Sequence, residues 1–580
     1  MMFVNVIHRA DPGSARLEAL RFQQAEARRN GIRTTILLTY GAFFDPAVLA
    51  FVQQQHDGYG DEIGLHLHEL MCADYKERFQ TDEKAFYLLP TEVKRGVLDF
   101  LFARFEETFG QPPSAIGSYI LDAATLGYLR DRHSSVEVAI VSCFEEGVKM
   151  FQGNNQEWYL FSDGGPWGPY YPSKDCHLCP ASDEADSVGI LGLPHLNRDM
   201  VLSLTSRDDL FASHPLNLVR AKANLGARCD YLLHFIDQWI AQLAYNSSGY
   251  YSLFVSPPWI TPGHPFVENL DEGRQLYAES LAYLQDRTQA GLVRCVTMTE
   301  FARWFAANVG RNQPAVNLSR DLLCGSNRQV FWYADTHLRV AIDLNAGGAI
   351  CDLRPYVGRV DRNLGPDSPN LWNGNYPFLI SSAHRGGYRT GPTHTCELRY
   401  GGQSVLVSEV RTSGQVHRNA DNTIELIVAP VVLTIGNLRV TIASSYCFHP
   451  NGSIDIERRV TELSEPAAVV DLRELHRGCW GTTEYPEDLR GLVLRAQNAT
   501  GTASALTYAY RSRRLTVPCP TLLTAEIPPL RCRMELIAQN DAEIGEAIEG
   551  YMFRPFYTLA LTKSVRAGQC LRSRLHLSPL

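Results

Sequence analysis

The sequence predicts a closed parallel β/α barrel followed by an antiparallel β-sandwich. Three observations carry this. Residues 1–308 alternate short apolar runs with amphipathic helical stretches; residues 330–580 show period-two alternation broken by turn signals; and no phosphate-binding glycine motif follows any strand. The polar stretch 309–329 between them, with Arg311, Asn312, Gln313, Pro314, Asn317 and Arg320, reads as a linker. The chain has 580 residues, 45% hydrophobic and 20% charged, which is enough to bury more than one core.

The expected elements follow in order. Residues 4–7 form a first strand, and residues 14–30 a helix closed by Gly31. Strand 34–39 and a helix from Asp45 with Pro46 in its first turn come next, then strand 62–67. Residues 91–109 are a long amphipathic helix ended by Gly110. Strand 115–119, helix 123–131, strand 136–142 and strand 188–193 follow. Residues 215–245 carry one or two helices, with Leu232, Phe235, Ile236 and Trp239 at helical spacing. Strand 251–255, helix 270–286, strand 293–296 and helix 300–307 complete the half. Seven or eight strands alternating with helices pair in parallel. In the second half, runs at 330–332, 338–344, 349–353, 403–410, 424–433, 438–447, 453–461, 534–538 and 557–563 read as strands, and Asn451-Gly452 as a hairpin turn.

Composition excludes several classes. The net charge is −9, from 54 basic and 63 acidic residues, and no Lys/Arg block reaches five, so no nucleic-acid partner is expected. No run of 18 uncharged apolar residues exists, so no membrane span is expected. The start of the chain lacks a basic region and a long apolar core, and the expected location is cytoplasmic. The 14 cysteines, many within apolar runs, are then reduced thiols. The one Cys-x-x-Cys, Cys176 to Cys179, reads as two loop thiols, with a zinc knuckle as the alternative.

In a parallel barrel, reactive side chains collect where the strands end. The predicted ends carry His8, Arg9 and Asp11; Tyr40; His66, His68 and Glu69; Tyr119 and Asp122; Glu145 and Glu146; His195, Arg198 and Asp199; and, beyond the seventh, Trp259 and His264. His66 and His68, two apart in an extended stretch, are placed to grip one divalent ion, expected to be zinc, with Asp11 or His8 completing the shell. The alternative is a pair of hydrogen-bonded polar residues at the mouth. Asp11 is a metal ligand, a general base or a helix cap. His195 or Asp199 moves a proton, and Arg198 binds a hydroxyl-rich or anionic group. Glu145 and Glu146, a like-charge pair, are candidates for acid and base roles. Tyr40, Tyr119, Trp167, Trp259 and His264 are candidate substrate contacts. The aromatic loop with Trp158, Tyr159, Phe161, Trp167, Tyr170 and Tyr171 suits stacking on sugar rings, or packing on its own core. No Gly-x-Ser-x-Gly elbow and no His-Glu-x-x-His helix occurs.

With Thr34-Thr35-Ile36-Leu37-Leu38, a helix, and then Asp61-Glu62-Ile63-Gly64-Leu65-His66, the first half resembles the NodB-type polysaccharide deacetylases of the glycoside hydrolase/deacetylase superfamily. Gly117 to Asp122 and Val296 to Phe301 match more loosely. The resemblance implies a distorted (β/α)7 barrel, one divalent metal and His66 as a ligand. The family's two adjacent acids are replaced here by His8-Arg9-Ala10-Asp11, its second histidine by Leu70, with His68 as substitute, and its motif arginine is missing. Leu344 to Ile350 and Phe556 to Leu561 are similar to strands of galactose-mutarotase-like supersandwiches. A barrel followed by such a sandwich is similar in layout to family 38 and 57 glycoside hydrolases, and Asp11-Pro12-Gly13 to the Asp-Pro-Gly of α-mannosidases. The expectation is therefore a metal-assisted hydrolase acting on a carbohydrate. The alternatives are a glycoside hydrolase with paired carboxylates drawn from Asp11, Glu145, Glu146 and Asp199, and a degenerate carbohydrate-binding protein.

Overall fold

A computed structural model describes the chain except residues 69, 71, 84, 119, 143–163, 206–230, 264–268, 323–324, 361–375, 382–393, 483–484, 487, 540 and 553. The chain forms two compact units, one on residues 1–313 and one on 314–321, 326–360 and 377–580.

The first unit is a nearly closed parallel barrel. Its strands are β1 (Met2–Ala10), β2 (Thr35–Leu38), β3 (Glu62–His66), β4 (Ala115–Gly117), β5 (Val138–Ser142), β6 (Leu191–Pro194) and β7 (Gly249–Val255), with a short β8 (Val293–Cys295). They pair in the order β6-β5-β4-β3-β2-β1-β7, and β8 pairs with the start of β1. The gap between β6 and β7 is stitched by side chains. Asn197 donates to the Tyr250 carbonyl (3.0 Å) and accepts from the Ser252 amide (2.8 Å), while the Ser252 hydroxyl donates to the His195 carbonyl (2.9 Å). A buried amide thus does the work of a strand edge, at about 1 kcal/mol per bond.

Side chains alternate across each strand, so the barrel has two apolar surfaces. The inner one holds Phe3, Ile7, Leu37, Ala115, Val138, Ile140, Leu191, Leu193, Tyr250 and Phe254. The helix Met298–Asn308 plugs its lower end, with Phe301 5.3 Å from Phe3 and 5.0 Å from Tyr250 between ring centroids. The plug starts with a capping box between Thr297 and Glu300. The outer surface, with Ile36, Leu38, Ile63 and Leu65, is covered by helices Ser14–Arg29, Pro46–Tyr59 and Thr91–Phe109 through Leu20, Val48, Val52, Leu98 and Leu101. Helix Ala73–Phe79 was not expected from the sequence. Of the expected helices at 215–245, the described part is Tyr231–Ala241.

The second unit is largely antiparallel β, with six- and nine-stranded sheets as its main layers and a five-stranded sheet beside them. The strand Ala315–Arg320, within the expected linker, pairs antiparallel with Gln329–Ala334. Its Val316, Asn317 and Ser319 are buried, so this stretch belongs to a sheet despite its polar composition. The Asn451-Gly452 turn joins Leu438–His449 to Ser453–Leu463 as expected, with Gly452 at φ +75°, a conformation that favours glycine.

The two large sheets meet over an ion pair. Glu474, on strand Val470–Gly478, accepts from Arg458 Nε (3.0 Å) and Nη2 (3.2 Å) and from His394 Nε2 (2.7 Å). The Ile350 amide donates to His394 Nδ1 (2.9 Å), which leaves the ring proton on Nε2, facing Glu474. Glu474, His394 and His476 have ligand atoms within 4.8 Å of one another. The Arg458 guanidinium balances the carboxylate's charge, and the neutral His394 ring donates a hydrogen bond to it. Arg458 and His394 hold the Glu474 carboxyl well below its ordinary value despite burial. Removing one partner of such a pair leaves an uncompensated buried charge. Arg458→Met is expected to destabilise the chain by about 3–5 kcal/mol in urea unfolding; a change within about 0.5 kcal/mol, the size of an ordinary surface substitution, would show that Glu474 does not depend on it.

Candidate functional site

The upper end of the barrel interior is polar. Inward positions alternate with outward ones along each strand, and this decides which candidates meet. On β1, Phe3 and Ile7 face the barrel interior, and Arg9 continues that row. His8 therefore faces the helices. Its Nε2 pairs with the Tyr277 hydroxyl (2.5 Å), and its Nδ1 accepts from Gln24 Nε2 (2.9 Å). Both ring nitrogens are used, so the expectation of His8 as a metal ligand is corrected. Freeing the ring would strand buried partners at about 1–3 kcal/mol each.

Tyr40 is corrected for the same reason. It continues the outward row of Ile36 and Leu38, donates to Asp74 (2.5 Å), and packs on Tyr75, Phe79 and Phe100. It is a core residue under the unexpected helix Ala73–Phe79.

His66, on β3, and His195, after β6, lie in the inward rows. Both rings meet the edge or face of Phe254, at centroid distances of 5.6 and 4.8 Å. His68 stands 6.2 Å from His66, ring to ring, at 78°. Gly117 makes room for this arrangement, because a Cβ there would lie 3.0 Å from His66 Cδ2 and 2.4 Å from Leu37 Cδ1. Burial first, then Arg9, His68 and His195, hold the His66 imidazole well below its ordinary value. Arg9 grips Asp11 in a two-pronged pair, Nε to Oδ1 and Nη2 to Oδ2, both 2.8 Å, with side chains 4% and 9% exposed. His66 of β3 and His195 after β6 thus meet at Phe254 of β7, with His68 beside His66 and the Arg9 charge bearing on His66.

The other candidates fall as follows. Asp199 accepts from the Val201 and Leu202 amides (both 2.9 Å) and from the Tyr231 hydroxyl (2.9 Å), so it caps helix Leu202–Thr205 and is not placed to shuttle protons. Arg198 is buried and acts electrostatically on Tyr231. Trp167 is buried and Trp259 half-buried, in the 3-10 turn Pro257–Ile260. Asp122 caps helix Ala123–Arg132 and pairs with Lys94 (2.7 Å). Cys176 and Cys179 are buried and joined by a turn, the Cys179 amide donating to the Cys176 carbonyl (3.1 Å). Glu69, Tyr119, Glu145, Glu146, His264, Trp158, Tyr159 and Phe161 lie outside the described residues. Reading strand ends without their alternation gave no role to Arg9 or Asn197 and missed Phe254. Period two counted forward from Ile7 points to Arg9 and away from His8.

A zinc-class ion takes three or four N, O or S donors. His66 and His68 offer two imidazoles, which suits such an ion in kind. His8 and Asp11, expected to complete the shell, are committed elsewhere. Among the described residues no three His, Cys, Asp or Glu donors of the barrel lie within 4.8 Å of one another. Among the described residues the donor set is therefore incomplete for such an ion, and Glu69, Glu145, Glu146 and His264 lie outside them.

A protein-family profile described as a domain of unknown function with a solved structure, DUF3863, matches residues 44–319. No curated protein matches the chain. The chain is similar to a solved structure provisionally described as a glycoside hydrolase/deacetylase from Parabacteroides distasonis, with 17% identity over 65% of this chain and 89% of that one and a TM-score of 0.49. It is also similar to one provisionally described as a polysaccharide deacetylase from Mycobacterium smegmatis, with 14% identity over 53% and 91% and a TM-score of 0.31. A third, provisionally described as an aldose 1-epimerase from Klebsiella pneumoniae, shows 9% identity over 47% and 86% and a TM-score of 0.32.

Buried neutral histidines tie this unit to pH. Burial pulls His8 down to about 3 and His177 down to about 4. Unfolded histidine takes up its proton near about 6.5. Below that pH the unfolded chain gains protons that the folded rings refuse. The stability from keeping these rings neutral is therefore complete above about pH 6.5 and is lost as pH falls toward the folded values, at about 1.4 kcal/mol per pH unit for each ring. The melting temperature is expected to be level from pH 8 to 7 and to fall steadily from pH 6.5 to 5. A level profile down to pH 5 would contradict the neutral, buried state of these rings.

Proposed function

We propose that the barrel is a carbohydrate-acting hydrolase that removes an acyl group. The observation that supports this reading is the gathering of His66, His68, His195 and the Arg9–Asp11 pair at the strand ends. The sequence resemblance to polysaccharide deacetylases supports sugar as the acyl carrier, and Trp167 and Trp259 are the aromatic candidates for contact with it.

The cluster's chemistry suits attack of water on a carbonyl better than cleavage of a glycosidic bond. Glycosidic cleavage needs two carboxylates able to trade protons. Among the described candidates, Asp11 is held by a guanidinium and Asp199 by three hydrogen bonds, while Glu145 and Glu146 lie outside the described residues. Acyl hydrolysis instead needs a base for water, donors for the developing oxyanion and a proton for the leaving group. His66, pressed well below its ordinary value, is a weak base and serves as a neutral positioning ring. His68 and His195 are each 6% exposed against 1% for His66, so proton transfer falls to them. In this reading His195 takes a proton from water as its oxygen bonds to the acyl carbon. Arg9 faces the oxyanion. The carbon–oxygen or carbon–nitrogen bond to the sugar then breaks, and His195 returns the proton to the leaving atom.

The test is acetate release from acetylated chito-oligosaccharides, acetylated xylan and 4-nitrophenyl acetate. His195→Ala is expected to lower kcat by about 10²–10⁴-fold, the usual worth of a positioned acid–base group, with the fold intact by circular dichroism. Binding of these sugars without any acetate release would favour a non-catalytic carbohydrate-binding role instead.

A further inference from the structure

We propose that the sandwich unit carries a glycan-binding site on its surface, a corner formed by Tyr510 and Tyr551 in which a pyranose ring lies against the aromatic faces and is held at its hydroxyl edge by Asp488 and Arg490. The site belongs to the second unit and does not depend on which bond the barrel cuts.

Three observations carry it. Both rings are exposed, Tyr510 by 38% and Tyr551 by 53%, and they meet at a centroid distance of 6.1 Å and an angle of 74°, which makes a corner. Tyr510 stands at φ +56°, a left-handed conformation that glycine adopts freely and a tyrosine only at a cost. The surroundings are built to hold it there. The Glu549 carboxylate, fully buried, accepts from the Ala509 amide (2.6 Å) and the Arg511 amide (2.8 Å), one on each side of Tyr510, and from Arg513 Nε (2.9 Å). The buried Tyr508 hydroxyl donates to the Gly550 carbonyl (2.7 Å), which ties this loop to the strand Ile544–Met552 that carries Tyr551. The Tyr510 hydroxyl donates to Asp488, whose carboxylate also accepts from the Arg490 amide and guanidinium.

Backbone strain of this kind persists only where the surrounding structure over-determines it, and it collects at functional sites. A loop that merely turned would be satisfied by glycine at this position. Instead a buried carboxylate, a buried tyrosine and an acid together fix an exposed aromatic ring. The chemistry of the corner selects its occupant. A pyranose presents a face of C–H groups and a rim of hydroxyls. The tyrosine rings match the face, and a side chain with two rotatable bonds loses little entropy in making that contact. Asp488 and Arg490, with side chains 41% and 80% exposed, offer acceptors and donors that match the rim. Because Tyr510 is already fixed, binding does not have to order it.

The test is isothermal titration calorimetry of the full-length chain with the hexaoses of β-1,4-linked N-acetylglucosamine, xylose and mannose. The wild type is expected to bind at least one of them. Tyr551→Ala and Tyr510→Gly are each expected to weaken that binding by about tenfold, as the loss of roughly half an aromatic side chain's burial would. Tyr510→Gly leaves the left-handed backbone unstrained, so the chain is expected to stay folded by circular dichroism while the binding is lost. Tyr551→Ala, at an exposed ring, guards against failure of the first variant to fold. Acetate release from 4-nitrophenyl acetate is expected to be unchanged in both. A wild type that binds none of the three hexaoses would overturn the proposal. Folded variants that bind as the wild type does would overturn it too, because the glycan would then be held elsewhere. A dimer in sedimentation that Tyr551→Ala dissociates, with no glycan bound, would assign the corner to a second copy and overturn it as well. None of these results bears on the hydrolase reading, and an absence of acetate release would defeat that reading while leaving the glycan result standing.

Discussion

The barrel's chemistry rests on one geometric constraint: successive side chains of a strand point to opposite faces. On β1 this sends His8 into the helix layer and Arg9 into the interior, one residue apart. Just past β2 it sends Tyr40 outward, onto Tyr75 and Phe100. A one-residue slip in either strand would exchange the two sets, burying Tyr40 in the mouth and Arg9 among apolar helices. Such a slip is prevented by the inner apolar surface, where Phe3, Ile7, Leu37 and Phe254 pack on one another and on the plug helix.

The interior is thus graded from bottom to top. Phe301 and Phe305 close the lower end, aliphatic side chains fill the middle, and imidazoles with one ion pair occupy the top. In the polar layer the Arg9 and Asp11 charges are paired and His66 is kept neutral. Arg9 and Asp11 are joined by two hydrogen bonds, and His66 stays uncharged because burial and the Arg9 charge both oppose protonation. Asn197 completes the layer from the side. By joining the end of β6 to β7 it fixes the backbone that carries His195, so the one gap in the strand order lies beside a proposed catalytic ring.

The sandwich manages buried charge differently. Arg458, Glu474 and His394 come from both large sheets and neutralise one another across the interface between them. Their hydrogen bonds are directional, so the cluster specifies how the two sheets face each other where aliphatic packing alone would tolerate several arrangements.

Much of the architecture was legible in the sequence. Alternating apolar runs and helices announced the barrel strands to within a few residues, and period-two runs announced nine of the 22 strands described in the second half. The strand His394–Tyr400 and the strand Val470–Gly478 were missed because each buries charged or imidazole side chains that mimic an exposed pattern. Local composition likewise hid the strand Ala315–Arg320 within a polar stretch. The sequence by itself determined the kinds of group available at the mouth, because strand ends and their residue types are local properties. Only the tertiary structure decided which of them meet. Arg9 takes Asp11, Tyr277 takes His8 and Tyr231 takes Asp199, since each partnership depends on which face of a strand turns inward and on helices distant in the chain.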